Sequence, residues 1–132
     1  MTAPDAFQRT PCNRWLGFEL VERSAQRCVI RQRVRPEMLQ ETGVVQGGLL
    51  TALCDTAAVY LLWPDLPPDR TMIGTTCSMQ FLAAALPGEL PLEARATPLR
   101  VGRTVAVCES ELHQGARLVA KGTFTFLLRP KP

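Results

Sequence analysis

Between Val44 and Trp63 the chain reads VVQGGLLTALCDTAAVYLLW, with one formal charge, Asp55, near its middle. Leu49, Leu50, Ala52, Leu53, Ala57, Ala58, Leu61 and Leu62 fall on several faces of a 3.6-residue repeat, which predicts a long helix wrapped by other structure. Pro64, Pro67 and Pro68 end it. On both sides the period is two. Upstream, Leu16, Phe18 and Leu20 alternate with Gly17 and Glu19, a strand pattern. Cys28, Ile30 and Val34 then share one parity, and Arg27, Arg31, Arg33 and Arg35 the other. That predicts a strand with an arginine-rich, solvated face, closed by Pro36. Downstream, Cys77, Met79 and Phe81 alternate with Ser78 and Gln80, and Leu90, Leu92, Ala94 and Ala96 with Glu89, Glu93 and Arg95. Val105 to Leu112 is a further extended run, and Gln114-Gly115 turns into Leu118, Ala120, Gly122, Phe124 and Phe126. One or two strands, a long helix, then four or more antiparallel strands predict an α+β fold, a sheet curled round a central helix.

The 132 residues suit a single domain spanning 1–132, with residues 1–13, which carry Pro4 and Pro11, as a loose arm or short helical turn. Hydrophobic residues at 46% and charged residues at 20% are ordinary for a soluble globular chain. The Val44–Trp63 segment is as long as a membrane span, but a central aspartate costs about 2.5–3.5 kcal/mol on insertion scales, and no close basic anchors flank it. No membrane association is expected. The net charge is only +3 and the fifteen bases are scattered, so no nucleic-acid partner is expected either. Five cysteines without a CxxC pair, and no secretory pattern after Asp5, point to reduced thiols in the cytoplasm. The lone His113, assigned to an exposed late turn, leaves no ligand set for zinc, and no metal is expected.

Chemistry concentrates at the helix. Gly47-Gly48 stands at its start, where backbone N–H groups lack intrahelical partners and carry the positive end of the helix dipole. A substrate carbonyl can approach a glycine closely, as an oxyanion hole requires; equally, the pair can serve tight helix–sheet packing. Asp55 lies eight residues beyond Gly47, roughly 12 Å along the axis. One carbonyl cannot touch both groups of one helix, so cooperation between them requires a second, antiparallel copy of the chain. The alternative is a buried aspartate held by Thr51, Thr56 or a loop, since a buried acid without partners is costly.

The stretch GGLLTALCDTAAVY resembles the signature helix of the hotdog-fold acyl-CoA thioesterases, in the subgroup of the phenylacetate-pathway and 4-hydroxybenzoyl-CoA thioesterases. LRVGRTVAVCESEL resembles that family's strand–G-[RK]-strand section and LVAKGTFTFLL its closing strand, so the likeness covers roughly residues 15–128. The family form, H-G-G with an acid nine residues after the histidine, places Gln46, Gly47, Gly48 and Asp55. The resemblance implies that the Gly47 N–H polarises a thioester carbonyl, with Gly48 beside it. Asp55 of the opposing subunit would then act as nucleophile or as general base on water. It places Gln40 where relatives carry an asparagine that holds water or leaving group, and Thr75 or Thr76 as a completing hydroxyl. Arg103, with Arg100, would meet coenzyme A phosphates, or be simply exposed. Tyr60, Phe81 and Leu53 are candidates for the acyl pocket or for the core.

Gln46 departs from the family histidine. It can donate and accept hydrogen bonds but does not titrate near neutrality. That weighs against a hotdog dehydratase, which depends on a catalytic histidine. The resulting expectation is hydrolysis of acyl-CoA thioesters, aryl or medium-chain, by a homodimer or homotetramer. It needs no cofactor beyond the coenzyme A of the substrate. The alternative is a hotdog dimer that binds acyl-CoA without turnover.

Overall fold

The computed structural model describes residues 2–132; Met1, the first residue of the expected arm, lies outside the described residues. Two short helices, α1 (Ala3–Arg9) and α2 (Pro11–Leu16), lead into strands β1 (Phe18–Arg23) and β2 (Cys28–Gln32). The long helix α3 (Gly47–Leu62) follows, then β3 (Arg70–Phe81), β4 (Leu92–Val101), β5 (Val105–Gln114) and β6 (Arg117–Pro130). The six strands form one antiparallel sheet in the order β1-β2-β4-β5-β6-β3. Its inner face carries α3, the hotdog arrangement that the resemblance implies. Small and mid-sized inner residues make room for the helix: Cys28, Ile30, Leu92, Ala94, Ala96, Ala106, Cys108 and Leu112 are all fully buried.

Three contacts pin α3. At its start the Gln46 side chain caps the helix. In its middle, the Ser110 hydroxyl donates to the Cys54 carbonyl at 2.8 Å. At its end, Arg23 donates to the carbonyls of Tyr60 (2.9 Å) and Leu61 (2.7 Å) and pairs with Asp65 at 2.8 Å. These bonds satisfy carbonyls that a helix C-terminus leaves open.

Several expectations change. Of the two readings of the arm, loose or helical, the structure has the helical one: it forms α1 and α2, started by a Thr2 cap and by Pro11. It is anchored because Phe7 is buried edge-on against Tyr60, ring centroids 4.9 Å apart. Leu16 ends α2 rather than opening a strand; Gly17, at φ 71°, makes the left-handed C-cap before β1. His113 lies in β5, not in a turn, partly buried with its Nε2 3.0 Å from Glu111.

The helix is not wrapped on every side. It lies over β2, β4 and β5 and reaches β3 only marginally. Along the uncovered side run Gly48, Ala52, Asp55 and Val59, at the four-three-four spacing of one helix face. Opposite them the edge strand β3 is exposed over most of its length. The stretch Gly47–Asp65 is long and apolar enough to cross a membrane by length and composition alone, and here it supplies the core helix.

Candidate active site

The gap between the uncovered face of α3 and β3 is an open groove of about 600 Å³. Gly48, Thr51, Ala52, Asp55 and Val59 form one wall, Gly74 to Cys77 the other, and Phe124 to Phe126 of β6 the floor. Asp55, expected inside a buried segment, is exposed in the single chain. Surface exposure does not make it fully solvated, because the surrounding walls still hold its carboxyl above the ordinary aspartate range through desolvation. It has no ion pair or hydrogen bond among the described residues. The hydroxyls expected to hold it are committed elsewhere: Thr51 donates to the Gly47 carbonyl (3.2 Å) and Thr56 to that of Ala52 (2.8 Å).

At the helix start, Gln46 Oε1 accepts the Leu49 N–H at 3.1 Å. A carbon added at Gly48 would lie 2.8 Å from that same oxygen, so Gly48 admits the cap. The N–H groups of Gly47 and Gly48 have no acceptor among the described residues. The turn that delivers them is braced twice, by the Gln46 N–H on the Met38 carbonyl and the Val45 N–H on the Ala85 carbonyl, both at 2.9 Å. Phe81 stands over Gly47: a methyl group there would sit 3.3 Å from the ring.

Gln40 occupies the tip of this turn. Its side-chain oxygen accepts from the Thr42 N–H and hydroxyl, and its Nε2 has no acceptor among the described residues. Thr75 is the extra residue of a β-bulge, and its hydroxyl donates to the Thr125 carbonyl at 3.3 Å. The Thr76 hydroxyl has no partner among the described residues, and both threonines line the groove.

Four candidate site residues lie outside this groove. Tyr60 is core: it faces the N-terminal helices, with its hydroxyl 3.3 Å from Asn13 Nδ2 and 3.4 Å from Thr10 Oγ1. A helical residue five positions from Asp55 cannot share its face. Arg100 and Arg103 sit at the β4–β5 turn, exposed. Arg103 edges a separate cavity of about 610 Å³ with Leu61, Leu62 and Leu128, at the end of α3 remote from Gly47. Leu53 is fully buried core.

Ala52, Val59, Gly74 and Cys77 were not anticipated as groove residues. The i, i+4, i+7, i+11 stripe through Asp55 was the signal for the first two. No three His, Cys, Asp or Glu side chains gather as a metal site would need among the described residues.

Residues 42–121 match the family described as the thioesterase superfamily. A provisionally named esterase of Pseudomonas aeruginosa is 29% identical over 97% of this chain and 98% of its own length. Among solved structures, a variant of the phenylacetic acid degradation protein PaaI from Thermus thermophilus superposes with a TM-score of 0.81 at 26% identity, over 89% of this chain and 98% of that one. A thioesterase of Haemophilus influenzae reaches 0.88 at 22% identity, over 98% and 92%, a likeness of fold.

Proposed function

The chain belongs to the thioesterase superfamily, and from that premise we propose that it hydrolyses acyl-CoA thioesters as an oligomer built from paired protomers. The observation that carries the proposal is the separation of two unspent groups on one helix: the open Gly47 N–H and the unpartnered, desolvated Asp55. At roughly 12 Å along the axis they cannot serve one carbonyl. A second copy packed antiparallel brings the Asp55 of one protomer to the Gly47 of the other. The long exposed edge of β3 supports such pairing, because an unpaired edge strand is a template for another chain.

In this reading the Gly47 N–H donates to the thioester oxygen and stabilises the charge that develops there. Asp55 of the facing protomer takes a proton from water, whose oxygen attacks the carbonyl carbon, or attacks that carbon itself to give an anhydride that water then opens. The carbon–sulfur bond breaks and the thiolate of coenzyme A leaves and is protonated. The sum is thioester plus water to acid plus thiol. Gln40 Nε2 and the Thr76 hydroxyl are the donors available to hold the water or the leaving group, and Phe81 covers the carbonyl site. Arg100 and Arg103 would reach coenzyme A phosphates only from another protomer.

A panel of acyl- and aryl-CoA esters, followed by thiol release, tests this directly. The expected result is turnover of at least one ester and its loss in Asp55→Ala. A panel left uncleaved, or an Asp55→Ala variant with parental rates, overturns it. One observation favours a binding-only alternative: Gln46, which cannot titrate, stands at the helix cap. Thermal stabilisation by CoA esters without thiol release would select that reading.

A further inference from the structure

We propose that Gly74 sets the girth of the acyl group that the groove accepts, a proposal that rests on the groove at Asp55 being the acyl site. Nothing within the protomer requires a glycine there. Gly74 is not among the glycines with positive φ, so any residue could adopt its backbone. The bulge beside it takes Thr75 as its extra residue and asks for no left-handed glycine. A Cβ at Gly74 would meet only the Phe126 ring, at 3.6 and 3.7 Å, which is ordinary contact. A glycine inside a strand lowers stability relative to a residue with a side chain.

What the missing side chain leaves is space in the groove. Gly74 lines the same cavity as Asp55, and it pairs with Phe126 of the floor. The helix wall of the same cavity carries Gly48, Ala52 and Val59 beside Asp55, so small residues occur on both walls. A narrow acyl chain does not need this width; a ring or a branch near the carbonyl does. Each methyl group added at position 74 therefore removes room that only a wide acyl group uses.

The test compares kcat/KM for benzoyl-CoA and propionyl-CoA in the parent, Gly74→Ala and Gly74→Val, with melting temperature and oligomer mass. The expected outcome is a fall in the benzoyl-to-propionyl ratio of about tenfold or more, the usual size of a one-methylene effect in a pocket. Gly74→Ala should also melt at or above the parental temperature. An unchanged ratio, whether both rates hold or both fall, overturns the proposal. So does a lower melting temperature or a lost oligomer in Gly74→Ala, which would assign the glycine to packing. If Gly74→Val does not fold, the alanine ratio alone decides. Should the parent cleave neither ester, hydrolysis stands or falls separately on the wider panel, and the girth proposal is read from calorimetric affinities of the thioethers S-benzyl-CoA and S-propyl-CoA. The same drop in ratio supports it, and a constant ratio refutes it.

Discussion

Gln46 Oε1 accepts the Leu49 N–H at 3.1 Å, so the residue standing where the family carries histidine is the N-cap of the central helix. The side chain adds to the bond that the same N–H makes to the Gln46 carbonyl at 3.0 Å, and the amides of Gly47 and Gly48 have no acceptor among the described residues. Gln46→Ala should therefore destabilise the fold by about 0.5–2 kcal/mol, the usual cost of a lost cap. Denaturant titration reads the stability. Gln46→Ala should also raise KM or lower kcat, because the amides it orders belong to the proposed carbonyl site. A variant with parental stability would show the cap to be idle.

Asp55 sets activity against stability. Asp55→Asn keeps the shape and removes the base, so thioester turnover should fall by about 10²–10⁴-fold, the typical contribution of a positioned general base. The sign for stability is opposite. Desolvation raises the folded-state pKa above the unfolded value, so between those two values the folded chain binds more protons than the unfolded one. Stability is then fully present below the unfolded value and declines as pH rises through the window. Asn carries no such loss. Asp55→Asn should melt above the parent at pH 7, with the gap closing as pH falls through the ordinary aspartate range. Melting curves from pH 3 to 8 check this.

The same direction shapes the rate profile. Turnover needs the carboxylate, and its pKa is raised. The acid limb of kcat/KM should therefore lie above the ordinary aspartate value of about 3.9. A limb at or below that value would place the essential base elsewhere.

Ser110 is wholly buried and its hydroxyl donates to Cys54, the residue before Asp55. Ser110→Ala should cost about 0.5–1.5 kcal/mol, the net worth of one internal hydrogen bond. A shift in denaturant midpoint at constant slope is the signature.

The five thiols should separate by reagent labelling. Burial pushes Cys28, Cys54 and Cys108 up to about 12, so they should label only after unfolding. Cys12 and Cys77 are exposed in the protomer. Cys77 lies on β3, so pairing through that edge should slow it relative to Cys12 at high protein concentration and release it on dilution.

Much of this was legible in the residues. The apolar run to Trp63 with its three following prolines marked α3. The alternation Leu92, Ala94, Ala96 and Ala120, Gly122, Phe124, Phe126 marked the inner face of the sheet, since a strand repeats every two residues. Leu16 was misread because a short helix and a strand can both place apolar residues at Leu16 and Phe18; the left-handed Gly17 separates them. Tyr60 stays open between acyl pocket and core in the sequence because a helix apolar on several faces does not announce which face meets which neighbour. Only the packing of Phe7 and Asn13 against it decides that.

By itself, the sequence determined the composition of each element, the order of helix and strands, and the eight-residue separation of Gly47 and Asp55, because these depend on local periodicity and chain geometry. The tertiary structure decided that α3 lies off-centre over β2, β4 and β5. It thereby exposes the Gly48–Ala52–Asp55–Val59 stripe and opens a groove against β3. That offset depends on side-chain volumes summed across those strands and on anchors such as Arg23 and Ser110, contacts between residues far apart along the chain that no local pattern encodes.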